Sequence, residues 1–233
     1  MRRNGLFWVA AIAITISGCS KTEGTKPPSL EQPGGRSGAV GTGGAGANLS
    51  DDEFVRDVAL KNMAEVELSR LALEKATNLD IKSFAQRMID DHGAAGQNLK
   101  SVVSGQPIGW PVQLDEKHRK TADELAKKQG ADFDRDYVKT MVQGHQDLAA
   151  KLESRLDVQS LADWKTAAPG RSDSKALPEP NIAMRDVQVH PNKSNNEVTM
   201  KINQWAADTY PVAQKHLDTA RTLETATSKR STN

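Results

Sequence analysis

One cysteine in 233 residues excludes a disulfide framework. Charge of one sign is missing too: 31 basic and 30 acidic side chains leave a formal net charge of +1. Basic clusters never exceed two or three residues, so no positive field marks the chain as a partner of nucleic acid. Aromatics are sparse, at 4 %. No segment alternates with period two long enough to be a strand, and no span repeats another, which argues against sheets and solenoids. Serine and cysteine nucleophile arrangements, phosphate-binding glycine loops and the H-E-x-x-H pattern are absent as well. The glycines cluster near the N-terminus without the strand or helix context such loops need. None of these absences favours an enzyme.

The first nineteen residues read as a processing signal. Arg2 and Arg3 form a positive n-region, Leu6 to Ile16 an apolar h-region too short for a permanent span, and Ile16-Ser17-Gly18-Cys19 looks like the lipobox of bacterial lipoproteins. That likeness implies cleavage before Cys19 and acylation of its thiol and new amino group, which makes Cys19 a membrane anchor. Ser20 is not the aspartate associated with inner-membrane retention, so the expected address is the outer membrane, facing the periplasm. Loss of Arg2 and Arg3 takes the side-chain charge from +1 to −1. Residues 20–49 are rich in Gly, Pro, Ser and Thr and read as a flexible tether with an r.m.s. span of roughly 30 Å.

Residues 50–227 carry helical periodicity. Ser50 followed by Glu53 has the capping-box form and opens a first helix reaching about Ala76, with Phe54, Val58, Lys61, Glu65, Leu68 and Ala72 along a broad face. A second helix, from about Asp80 to Val103, buries Ile81, Ala85, Met88, His92, Ala95, Leu99 and Val102 at steps of four and three. Ser104 to Pro111 interrupts. A third helix carries Leu114, His118, Ala122 and Leu125 and ends at Gly130, a residue suited to a left-handed C-terminal cap. Asp132 can cap a fourth, which places Asp134, Val138, Met141, His145, Leu148 and Leu152 on one face beside Tyr137. Residues 162–196, with four prolines, read as an irregular insertion. Ser194 and Glu197 repeat the capping-box form before a fifth helix bearing Val198, Ile202, Trp205, Thr209, Val212, His216 and Leu223. Pro211 predicts a kink there, or two abutting helices. Residues 228–233 form a polar tail. The expected fold is all-α: an antiparallel bundle of four core helices plus a kinked fifth.

Four of the five histidines thus fall on apolar stripes of four helices, and the remaining long helix offers Glu65. Counting from the turns, Glu65 and His92 lie at similar heights, as do His118 and His145, whereas His92 and His118 differ by roughly 8 Å, which predicts two polar layers. Imidazole nitrogen with carboxylate oxygen suits a transition metal such as Zn, Fe, Cu or Mn. The competing reading is a polar core layer in which each histidine only makes hydrogen bonds.

The runs MAEVELSRLALEKAT, FAQRMIDDHGAAGQNL, GADFDRDYVKTMVQGHQDLA and YPVAQKHLDTA, with the lone His118, resemble a bacterial family known as domain of unknown function 4142. That family is placed among ferritin-like helical folds and often described as outer-membrane or secreted. The resemblance implies a ferritin-like bundle in which Glu65, Asp91, His92, His118, Phe133, Asp134, Tyr137, His145, Pro211 and His216 are the kept positions. It implies no established reaction; the candidate metal ligands Glu65, His92, His118, His145 and His216, with Asp91, Asp134 and Tyr137 around them, come from their places on the helix faces. Ser69 stands where glycine is frequent, Tyr210 where leucine usually precedes the proline, and the 162–196 insertion is unusually long. A conventional di-iron site needs paired Glu-x-x-His motifs. Only Asp115-x-x-His118 approaches that form, since Ile89, Val142 and Ala213 precede the other histidines. The expected role is therefore a non-enzymatic binding or protective module. The alternative is a structural or interaction domain contacting an envelope protein partner.

Overall fold

The structure is a computed structural model, which describes residues 49–167 and 187–230. The expected signal (1–19), the anchor Cys19, the tether up to residue 48 and the centre of the insertion lie outside the described residues. The rest is helical: α1 (Asp51–Lys75), α2 (Leu79–Val102), α3 (Glu116–Ala126), α4 (Gly130–Glu153), α5 (Val158–Ala167) and α6 (Glu197–Arg230). Among the described residues no helix is long and apolar enough to cross a membrane.

Local chemistry sets the helix ends. Both halves of the expected capping box form, Glu53 N–H donating to Ser50 Oγ at 3.3 Å and Ser50 N–H to Glu53 Oε2 at 3.0 Å. Asn78 caps α2 by accepting from the amide of Asp80 at 2.9 Å. Other ends differ from expectation. α3 begins only at Glu116, capped by Asp115, and α4 begins at Gly130 itself, whose φ of +57° turns the chain into it. Asp132 lies in the first turn of α4 and pairs with Arg135 at 2.8 Å instead of capping. Asn196, not Ser194, caps α6, taking the Thr199 amide at 3.0 Å.

Four long helices make the bundle, and the fourth is α6, not the short third one. α1 packs on α2 and α4, and α6 packs on the same two helices, so α1 and α6 stand diagonally. Cross-links fix their directions. Asp51, at the start of α1, meets Arg155 just past α4 at 2.5 Å and Thr199 at the start of α6 at 2.6 Å, while Asp134 near the start of α4 binds the Thr77 and Asn78 amides beyond α1. Each helix is therefore antiparallel to both of its neighbours. α3 buries only Leu125 and lies outside the square. Its stripe is too short to fill a bundle position, which α6 fills with 34 residues.

Two further expectations are corrected. Residues 158–167, of which 162–167 were expected in the irregular insertion, form α5, with Asp157 accepting from the Ser160 amide at 2.9 Å. The segment returning to α6 is tied back by Asn192 N–H donating to the Arg155 carbonyl at 2.9 Å. α6 runs unbroken through Pro211 and on to Arg230, past the expected start of a tail. Burial of Tyr210, Ala213, Leu217 and Ala220 around the proline outweighs a penalty of about 3 kcal/mol for a proline inside a helix.

The core comes in two halves. Phe54, Val58, Leu99, Leu152, Ile202 and Trp205 belong to one; Leu68, Ile81, Phe84, Met88, Tyr137 and Leu217 belong to the other. Between them every long helix contributes a buried polar side chain: Asn62 and Glu65 from α1, His92 from α2, His145 from α4 and His216 from α6.

Candidate metal centre

That single layer is the candidate site. His92, His145 and His216 are 4 %, 0 % and 2 % exposed, and each offers a ring nitrogen within 4.8 Å of those of the other two. The ring centroids form a near-equilateral triangle with sides of 5.2, 5.3 and 5.4 Å. Steps of three and four residues aim each histidine inward from its helix, and the antiparallel packing brings the three to one level.

Hydrogen bonds decide which nitrogen faces the centre. His145 Nδ1–H donates to the Met141 carbonyl at 2.9 Å, so Nε2 of the neutral ring carries a lone pair. His92 Nδ1 lies 2.9 Å from Asn62 Oδ1 and 3.0 Å from Glu65 Oε2. Both are acceptors, so this nitrogen also bears the proton, and the N–H is aimed at the amide oxygen. His216 Nε2–H donates to Asp91 Oδ2 at 2.8 Å, and its Nδ1 remains buried without a partner. Thus each ring is held from behind by a carboxylate or carbonyl, as outer groups orient the histidines of metal sites.

The two inward Nε2 atoms of His92 and His145 are 3.2 Å apart. Two lone pairs cannot face each other at that distance without something positive between them. One solution is a proton. Burial opposes charge on His92, but the neighbouring Glu65 carboxylate outweighs it and raises the pKa above the ordinary value. Burial likewise opposes charge on Glu65, and His145, His92 and Lys61 together hold its carboxyl down to about 2. Burial lowers the pKa of His145 despite Glu65, and burial with the neighbouring His92 and His145 lowers that of His216 to about 4 against the pull of Asp91. Glu65 is therefore ionised at neutral pH, and of the three rings His92 is the one whose surroundings favour the charged form.

The other solution is a metal ion. Metal–nitrogen bonds of about 2.0–2.1 Å in a tetrahedron put two ligand nitrogens about 3.3 Å apart, close to the separation here. The donor set, three neutral imidazoles with no thiolate, suits Zn, Cu or Fe. Several buried polar atoms have no directed hydrogen bond: both Glu65 oxygens, Asn62 Nδ2 and His216 Nδ1. The three histidines could thus hold an ion.

The structure sorts the expected site residues. Glu65 is inside the layer but approaches His92 and His145 at their Nδ1 atoms, 3.0 and 3.5 Å away, so it backs the ligands instead of joining them. Lys61, one turn before it on α1, lies at the rim, 3.7 Å from Asp147. His118 is elsewhere: in the first turn of α3 it bonds Asp115 at 2.7 Å, half-buried. The two expected layers are one, because α6 supplies the third imidazole. Asp91 backs His216. Asp134 instead joins α4 to the α1–α2 turn, accepting from Thr77 Oγ1 at 2.6 Å and from two amides. Tyr137 is buried below the layer, bonded to Ser69 at 2.9 Å, and burial raises its pKa.

Two residues were missed. Asn62 continues the steps of three and four through Val55, Val58, Asn62, Glu65 and Ser69, a stripe hidden by the polar residues in it. Gly144 precedes His145 in mid-helix, where glycine is costly. A Cβ there would stand 2.9 Å from Glu65 Oε1, so its bare backbone makes room for the carboxylate.

Fold and site define an all-helical bundle with a buried three-imidazole cluster at mid-height. A family model described as "Domain of unknown function (DUF4142)" matches residues 39–171, more than half of the chain, and the chain belongs to that family. The matched stretch holds Asn62, Glu65, His92 and His145, and His216 reaches the same layer from beyond it. No curated protein and no solved structure matches the chain.

Proposed function

We propose that this chain is a lipoprotein anchored through Cys19 in the outer membrane, facing the periplasm, whose bundle binds one transition-metal ion. His92, His145 and His216 hold the ion; Glu65, Asn62, the Met141 carbonyl and Asp91 orient them. The domain acts as a binding or protective module and not as a catalyst. One observation carries this reading: three buried imidazoles from three helices, each held at one ring nitrogen, bring one nitrogen apiece to within 4.8 Å of one another. The address rests on the n-region, h-region and Cys19 of the sequence. Fourth-position chemistry would come from water or a small ligand.

A second reading has its own support. His92 lies 3.0 Å from the Glu65 carboxylate and 3.2 Å from His145 Nε2, so one proton shared in the layer would close it without any metal, as a structural or partner-binding domain would need. Elemental analysis of the tag-free protein, purified after metal-replete growth, separates the two. About one equivalent of metal in the wild type and none in a His92→Ala/His145→Ala variant supports the metal centre. Metal-free wild type supports the structural domain.

A further inference from the structure

All three histidines are buried, so an ion must enter through some wall of the bundle. The polar ties of the rings differ in where they lead. His92 is held by Asn62 and Glu65, themselves 3 % and 4 % exposed, and His145 by a backbone carbonyl within its own helix. His216 alone is held by a group that reaches solvent, the Asp91 carboxylate, whose side chain is 41 % exposed. Among the three rings, His216 has the fewest internal ties: one hydrogen bond, to a half-exposed side chain.

Asp91 also lines a surface groove between α2 and α6, walled by Ala94, Ala95, Trp205, Thr209 and Val212. The groove measures about 490 Å³, which exceeds the volume of six waters at about 30 Å³ each, the inner shell of a hydrated divalent ion. Its charged residues are Asp91, Asp208 and Lys201, and Lys201 is neutralised by Glu197 at 2.6 Å. A cation in the groove therefore meets net negative charge, which raises capture rates. The opposite approach, at the α1–α4 seam behind Glu65, places the Lys61 ammonium, paired with Asp147 at 3.7 Å, between solvent and the layer, so that seam offers no net negative charge of its own.

We infer that the α2–α6 groove is the entry port of the metal centre, with Asp91 as the capturing carboxylate and latch and His216 as the ring that swings to admit the ion. This rests on the metal-binding reading above. The role of Asp91 is to position and deliver; the ion's final ligands are the three imidazoles.

The test uses the full-length chain with Co²⁺ alone as the optical probe, followed by stopped-flow absorption for association and by chelator chase for dissociation. Ala94→Trp fills the groove without touching a ligand, and Val212→Trp narrows it from the other wall in case the first variant folds poorly, as judged by helical circular dichroism. Each is expected to slow association and dissociation together by about tenfold or more with an unchanged Kd, because a narrowed port raises the barrier in both directions. Asp147→Trp, on the seam beside Lys61, is expected to change neither rate. Unchanged rates in both folded groove variants, or slowing by Asp147→Trp in their place, overturn the entry port. Failure of the wild type to bind Co²⁺ or Zn²⁺ at all overturns the metal reading itself.

Discussion

Gly144→Ala separates the site from the fold. Alanine in a helix interior is favoured over glycine by about 1 kcal/mol, and the backbone at position 144 is not in the left-handed region, so the change alone stabilises. The new Cβ, however, would stand 2.9 Å from Glu65 Oε1. The carboxylate must retreat by about 0.5 Å to reach ordinary contact. Its Oε1 lies 3.5 Å from His145 Nδ1 and its Oε2 3.0 Å from His92 Nδ1, and lengthening either contact by that amount weakens attraction to a charged ring by about 0.5–1 kcal/mol at an effective dielectric of about 20. The two effects nearly cancel, so urea denaturation of Gly144→Ala should match the wild type. Gly93→Ala is the control: it lies next to His92 on α2 with nothing within 4 Å of its added Cβ, and should gain about 0.5–1 kcal/mol. Metal affinity should divide them the other way, falling about 10- to 100-fold in Gly144→Ala, the usual cost of disturbing an outer partner, and staying unchanged in Gly93→Ala. Equal gains in stability with equal metal affinity would refute the placement of Glu65 behind the histidines.

The metal-free protein should lose stability on acidification below neutrality. The pKa of His216 falls from 6.5 unfolded to about 4 folded, so the unfolded chain binds more protons between those values; stability is intact above pH 6.5 and drops by about 3 kcal/mol by pH 4. Glu65, lowered to about 2, extends the loss below its unfolded value of 4.5. His92 has the opposite sign: its raised pKa contributes fully below 6.5 and fades as pH rises through the folded value. Urea titrations across this range should therefore show a maximum near neutral pH, and His216→Gln should flatten the limb between pH 6.5 and 4. Asp134→Ala removes the acceptor for two amides and a hydroxyl at the α1–α2 turn and should cost about 3 kcal/mol, seen as a lower Tm, with metal stoichiometry unchanged. Arg155→Ala frees the start of α1, losing the ion pair to Asp51, bonds to the Leu49 and Ser50 carbonyls and the stacking over Phe54; a loss of about 2–4 kcal/mol is expected by chemical denaturation.

Much of this architecture was legible in the order of residues. Ile81 through Val102 announced α2 and the inward aim of His92, and Met141, His145 and Leu148 did the same for α4. His118 shares a stripe with Leu114, Ala122 and Leu125, but α3 begins only at Glu116, capped by Asp115, and packs outside the square, so its first turn holds the histidine half-buried and away from the core. The level of His216 could not be counted from turns, since a long connection precedes α6 and hides its register; only packing against α2 and α4 sets it. Val212 also belonged to the expected stripe and is exposed, because the buried line of α6 passes through Tyr210, Ala213 and Leu217. Glu65 was found, but which nitrogen it approaches is a matter of side-chain geometry that spacing does not encode. Gly144 carried a signal of its own, an unfavourable residue in a helix interior beside a seam histidine.

The central claim is that three particular nitrogens meet at one ion. Long-range proton–nitrogen NMR of the imidazoles, recorded on ¹⁵N-labelled full-length protein with and without one equivalent of Zn²⁺, reads those nitrogens directly. The account expects Zn²⁺ to shift Nε2 of His92, Nε2 of His145 and Nδ1 of His216 into the range of metal-bound nitrogen while His118 and His190 stay unchanged. Binding through His118, or spectra that Zn²⁺ does not alter, would contradict it.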